Sequence, residues 1–339
     1  MKQATRSIAP LLAVILLATS LAGCVQQQAA DQPEPDTKAL VKVAALKGPT
    51  GIGMVKLMED SKAGTTGNDY EFELLGAPDD IVGKITSGSV DVAAVPTNLA
   101  AVLHSKTNGN VQLIAINTLG VLYVLENGNS VQSIADLRGK TIKTVGQGAT
   151  PEYALNYLLK QNGLVPGEDV TVDYLSEHSE LAALAAAGKA DLVMLPEPFV
   201  TSVLGKNSDV RIALDITEEW KQATAEPDTP GVELTMGCLV ARKDFAEANK
   251  AALDTFLTEY QASTAFVNEH IDEAAEMVVA NGIMADAALA KKAIPNCNIV
   301  YLDGDAMKQS ATVFYDVLFS ANPKSVGGKL PSDDFYYAK

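Results

Sequence analysis

From Leu40 onward, short apolar runs rich in β-branched residues alternate with segments whose apolar positions recur at helical spacing. Val41–Leu46, Tyr70–Leu75, Val90–Val95 and Val111–Asn117 read as strands, with helical stretches over Gly51–Asp60, Asp79–Ser87 and Asn98–Ser105 between them. A second series follows, with strands over Thr141–Val145, Val170–Leu175, Asp191–Leu195 and Val210–Leu214. Pro151–Gln161 and Glu177–Ala187 are its clearest helices. Alternation of this kind predicts βαβ units, and hence mostly parallel sheets with helices on both faces. After an irregular stretch with Pro227 and Pro230, Val232–Ala241 reads as a strand. The rest is mainly helical, led by Lys243–Val267 and Asp303–Phe319 around a short β-like Asn298–Leu302.

The two series repeat one another. Gly88-Ser89-Val90-Asp91-Val92-Ala93-Ala94-Val95-Pro96 has the pattern of Gly188-Lys189-Ala190-Asp191-Leu192-Val193-Met194-Leu195-Pro196. The next strand matches as well, Val111-Gln112-Leu113-Ile114 beside Val210-Arg211-Ile212-Ala213. Two matches in series predict an α/β protein of two similar doubly wound lobes. The chain is expected to cross to the second lobe near Glu126–Arg138 and to return near Val232–Ala241, a two-strand hinge, with the C-terminal helices on the first lobe. This gives a first lobe over 40–130, a second over 131–231 and the return over 232–339.

Composition sets limits on function. At 47% hydrophobic residues and a mean hydropathy of +0.09, the chain can bury a large core. Its formal charge of −16 argues against a nucleic-acid partner, which needs clustered Lys and Arg. The N-terminus adds a location. Lys2 and Arg6 precede an apolar run from Ile8 to Leu21, the form of a secretory signal. The ending Leu21-Ala22-Gly23-Cys24 resembles a bacterial lipobox, which implies cleavage after residue 23 and lipidation of Cys24. A polar tether over 24–39, rich in Gln, Ala, Asp and Pro, would then link an extracytoplasmic domain to a membrane it does not enter. Cys238 and Cys297 read as two buried small residues, although that compartment permits a disulfide.

Ligands of open α/β sheets bind beyond the carboxyl ends of the strands, near helix N-termini. Those ends carry Pro49, Thr50 and Gly51, then Pro78, then Thr97 and Asn98 in the first lobe. The second lobe offers Gly148, Ala149, Thr150 and Tyr153, then Glu177, then Glu197 and Phe199. Glycine allows close backbone approach, Thr and Asn cap helices, and Pro suits a first helical turn. Each helix start leaves free N–H groups suited to a polar or anionic ligand. Glu177 and Glu197 can accept hydrogen bonds from an amine or nitrogen heterocycle, or serve only as first-turn acids. Tyr153 and Phe199 can stack on a ring. Arg138, Arg211 and Arg242 fall outside these loops, so a sulfonate or carboxylate would lack a guanidinium clamp.

The lipobox, the duplicated Gly-x-x-Asp-apolar-Pro segment, Ile134-Ala135-Asp136-Leu137-Arg138-Gly139-Lys140 and Leu195-Pro196-Glu197-Pro198-Phe199 together resemble the solute-binding lipoproteins of ABC importers. Within that group the nitrate/sulfonate/taurine and thiamine-precursor type is nearest. The resemblance implies a type II periplasmic-binding-protein fold, closing on a small organic solute and passing it to a permease and ATPase. It implies a monomer with no cofactor and no metal. An enzyme of the same fold acting on a pyrimidine-like precursor is an alternative, but such proteins resemble a chain with clustered cysteines and an active-site histidine. Here no cysteines cluster, His104 and His270 read as surface helix residues, and His178 alone adjoins a cleft loop. A ligand-sensing surface lipoprotein is the third reading.

Overall fold

The computed structural model describes residues 38–338 except 229. The expected signal, Cys24 and most of the tether lie outside the described residues. The chain begins with β1 (Leu40–Leu46), α1 (Pro49–Ile52), α2 (Val55–Lys62), β2 (Asp69–Leu75), α3 (Pro78–Ser87), β3 (Val92–Pro96), α4 (Thr97–Lys106) and β4 (Val111–Thr118). It continues with β5 (Leu122–Asn127), β6 (Thr141–Val145), α5 (Thr150–Gln161), β7 (Thr171–Leu175), α6 (His178–Ala186), β8 (Leu192–Pro196), α7 (Phe199–Lys206), β9 (Val210–Asp215) and α8 (Ile216–Thr224). It ends with β10 (Gly237–Arg242), α9 (Lys243–Ala248), α10 (Lys250–Glu269), α11 (Ile271–Ala280), α12 (Ala287–Ala293), β11 (Ile299–Leu302) and α13 (Gly304–Ala321).

Two sheets result, ordered β2-β1-β3-β10-β4-β11 and β7-β6-β8-β5-β9. Strands one to three of each order run parallel, and the fourth is antiparallel to both neighbours. Each sheet therefore receives its antiparallel strand from a crossing of the chain, β5 on the way out and β10 on the way back. The sequence repeat falls on β3 and β8, which both abut a crossing strand. Its glycines have a backbone reason, since Gly88 and Gly188 end the preceding helical segments at φ of 75° and 66°.

The outward crossing lies earlier than expected. β4 ends at Thr118 in the first sheet and β5 begins at Leu122 in the second, so the chain changes sheets over Leu119–Val121, ahead of the expected Glu126–Arg138. Gly120 marks the place, because a Cβ there would stand 2.3 Å from the Thr217 side chain. On the return, Gly237–Arg242 is the strand, shorter than the expected Val232–Ala241 at its start. The helix expected over Gly51–Asp60 breaks around Gly53 and Met54, and that over Lys243–Val267 breaks at Asn249. Helix α8 had a legible start: the Asp215 carboxylate accepts from Thr217 N–H at 2.9 Å and Glu218 N–H at 3.3 Å.

The C-terminal helices pack chiefly on the first lobe, α10 and α11 against α2. Helix α13 lies on β4 but also touches α5, and α12 touches α7. The fully buried Trp220 of α8 meets Phe314 of α13 at 5.8 Å, so one apolar core runs from the first sheet into the second lobe. Cys238 and Cys297 are buried and unbridged. No helix among the described residues is long and apolar enough to cross a membrane.

Candidate binding cleft

Strand ends and both crossings meet at a cavity of about 70 Å³ between the sheets, room for on the order of five waters. Five prolines stand in its walls. Pro49, Pro78 and Pro151 stand in the first turns of α1, α3 and α5, where a missing N–H costs nothing, and all three line the cavity. Pro96 and Pro196 close β3 and β8 on the same space. The floor comes from the crossings, with Thr118 and Val121 on one and Met236 and Gly237 on the other. These segments hold together through Met236 N–H to Thr118 O at 2.9 Å. Only glycine fits at 237, since a Cβ would meet Asn117 Oδ1 at 2.7 Å and Thr50 Cγ2 at 2.9 Å.

One wall is aromatic. The His178 imidazole stacks on the Phe199 ring, centroids 5.3 Å apart and planes 17° apart, and both line the cavity. Burial pushes His178 down to about 4, so the ring is neutral near pH 7, with one donor and one acceptor nitrogen. Lys47 stands exposed at the rim. The arginines are occupied elsewhere: Arg138 pairs with Asp169, Arg211 with Glu126 at 2.6 Å and Arg242 with Asp91 at 3.1 Å.

Of the residues expected at the site, Pro49, Thr50, Pro78, Ala149 and Phe199 line this cavity. Gly51 lies behind it and serves packing, because a Cβ there would stand 2.6 Å from Leu46 O. Gly148 and Tyr153 face a separate groove of about 460 Å³ beside α4 and the C-terminal turn. Thr97, Asn98 and Thr150 are buried, and Asn98 and Thr150 bond each other across the lobes. Glu197 is buried as well. Its carboxylate accepts from Thr201 N–H at 3.0 Å and Thr201 Oγ1 at 2.9 Å, a cap on α7, and burial pushes its pKa up. Glu177 begins α6, accepts from Ser179 Oγ at 3.0 Å and packs over Gly76 of the first lobe.

Residues of the crossings and His178 were absent from the expected set. Gly120 and Gly237 were the available signals, each a glycine flanked by apolar residues where the chain changes sheets. His104 is corrected too. It is buried, its Nδ1 is 2.8 Å from Val111 O, and its ring meets Phe335.

With this geometry in view, comparison with known proteins is direct. Residues 60–285, two thirds of the chain, match the family model described as ABC transporter, phosphonate, periplasmic substrate-binding protein. The chain belongs to this family. No curated protein matches it. Among solved structures, an ABC transporter protein from Parabacteroides distasonis is similar at 24% identity, TM-score 0.70, covering 89% of this chain and all of that one. The alkanesulfonate-binding protein SsuA from Xanthomonas axonopodis pv. citri, bound to MOPS, gives 15% identity and TM-score 0.65 over 84% and 93% of the two chains. The periplasmic nitrate-binding protein NrtA from Synechocystis PCC 6803 gives 12% identity and TM-score 0.62 over 85% and 84%. The protein is thus a substrate-binding protein of an ABC importer for a small solute, with a type II binding-protein fold.

Proposed function

We propose that this substrate-binding protein captures a compact organic solute of heterocyclic or amine character in the cavity between its lobes. The observation that carries this reading is the wall of stacked Phe199 and neutral His178 in a cavity no arginine lines. A ring would lie against that wall, and its polar edge would meet N–H groups in the first turns of α1 and α5. The first lobe comprises residues 38–118 and the chain from 237, and the second comprises 122–224. They close over the solute about the Leu119–Val121 and return crossings, because a ligand touching both lobes binds the closed form better. The solute then passes to the permease and ATPase. A lipid on Cys24 holds the protein at the membrane, and no bond is made or broken.

Lys47 at the rim supports a second reading, a compact anion such as the phosphonate of the family's description. Native mass spectrometry of the chain as purified, followed by extraction and identification of what it carries, separates the two. A stoichiometric ring or amine supports the first reading and a phosphonate or sulfonate the second, while a substrate and product pair overturns both in favour of an enzyme. Small-angle scattering tests closure: the radius of gyration should fall when that solute is added back, and no change at saturation sinks the hinge.

A further inference from the structure

Asn98, at the start of α4, is fully buried where three parts of the chain meet. Its amide nitrogen donates to Gly148 O of the second lobe and to Ser325 O of the C-terminal turn, both at 3.1 Å. Its Oδ1 accepts from Thr150 Oγ1 at 3.1 Å, and its backbone N–H reaches the same hydroxyl at 3.4 Å. Both amide hydrogens are spent, and the Thr150 hydroxyl is spent twice, so the pair has little left for a solute. Neither residue lines the cavity. Gly148 holds φ at 75°, a left-handed turn in which its carbonyl meets Asn98.

The bonds to Gly148 and Thr150 join the two lobes and exist only when the lobes touch, while the bond to Ser325 stays within the first lobe. In an open form the same groups would face water. Exchange with water makes each bond modest, but the set is buried and reciprocal, and an unmatched buried amide is costly. We infer that Asn98 and Thr150 form an interlobe latch that favours the closed arrangement before any solute binds, and that they are positioning residues rather than solute contacts. This rests on the closure reading above. The latch sets the fraction of closed protein, and that fraction scales the apparent affinity for a solute the latch never touches.

The test is made without solute, on the chain from Lys38, which forms one compact unit. Spin labels at Asp80→Cys and Glu180→Cys, both exposed and on opposite lobes, report the interlobe distance by pulsed electron resonance. Cys238 and Cys297 are buried with their thiol pKa values pushed up, so they take no label. The parent chain should show a dominant short distance. Thr150→Val, which keeps the volume, should lower the ratio of short to long distances about tenfold, and Thr150→Ser should restore it. Asn98→Ala should match Thr150→Val, and melting temperatures within about 2 °C of the parent separate opening from unfolding. An unchanged distribution in Thr150→Val, or a parent with only the long distance, overturns the latch. If the latch fails while added solute still compacts the chain, the importer reading stands. If solute leaves the chain unchanged but Thr150→Val shifts the distances, closure on solute fails and the latch stands.

Discussion

The loops that leave β3 and β8 hold the same station in the duplicated strand order, yet they have diverged. After β3, Pro96-Thr97-Asn98 runs straight into α4, and Thr97 and Asn98 are wholly buried, the latter bonded across the lobes. After β8, Pro196-Glu197-Pro198-Phe199 buries an acid as a helix cap and turns an aromatic ring to the cavity. The architecture fixes where a loop lies, whereas the side chains that follow the proline decide whether it fastens the lobes or forms the binding wall. Of these two loops, the one after β8 lends a ring to the cavity lining and the one after β3 lends Asn98 to the bonds between the lobes.

The sharpest way to break this contrast is through His178, the partner of Phe199. Its folded pKa is about 4 against an ordinary 6.5, so between those values the unfolded chain binds more protons than the folded one. Stability should fall as pH drops from about 6.5 to 4 and level off below, by roughly 1–3 kcal/mol. Denaturant titrations at several pH values read this directly. His178→Phe should flatten that part of the profile, and an unchanged slope would mean the ring is not held neutral by its setting.

Next in size is the wall itself. Phe199→Ala should weaken retention of the co-purifying solute roughly 30-fold, about 2 kcal/mol of lost aromatic contact. Calorimetry with the identified solute checks it. An affinity within threefold of the parent would move recognition away from the second lobe.

Glu197→Ala should act on stability instead. It removes two bonds to Thr201 at the start of α7, a capping loss of about 1–2 kcal/mol, and should lower the melting temperature by roughly 3–6 °C. Solute affinity should hold, since the carboxylate is spent on the helix. A large loss of affinity with little loss of stability would return Glu197 to the site.

Much of the layout was legible because strands such as β3, β6, β8 and β9 are short runs closed by Gly, Pro or Asp, and because the repeat at Gly88 and Gly188 answers a backbone need. The crossing at Leu119–Val121 was not legible. Leu119-Gly120-Val121-Leu122 looks like more of the apolar run of β4, and only tertiary packing against Thr217 shows why glycine must stand there. At the site, sequence favoured residues at strand ends, and of these the first-turn Pro49 and Pro78 line the cavity. It could not separate a threonine that faces the cavity, such as Thr50, from one that bonds across the lobes, such as Thr150, because both stand in the first turn of a helix. The crossing floor was invisible for a related reason: antiparallel strands enter the cleft by their other ends, where a rule about parallel strands does not look.

The smallest effect falls on the counterpart of Glu197. Thr97 occupies the first turn of α4, and its fully buried hydroxyl has no partner beyond a weak contact with the Cys238 thiol. Burying an unpaired hydroxyl costs free energy, so exchanging it for a methyl of similar shape removes a penalty and little else. Thr97→Val should therefore change stability by less than about 0.5 kcal/mol or raise it slightly. The backbone bonds at this residue, Thr97 N–H to Met236 O at 3.3 Å and Tyr315 Oη to Thr97 O at 2.9 Å, do not involve the side chain and should survive. Paired melting curves of Thr97→Val and Glu197→Ala put the two loops on one scale. Equal losses would mean that the hydroxyl of Thr97 holds a partner in solution, and that the two loops are more alike than their side chains imply.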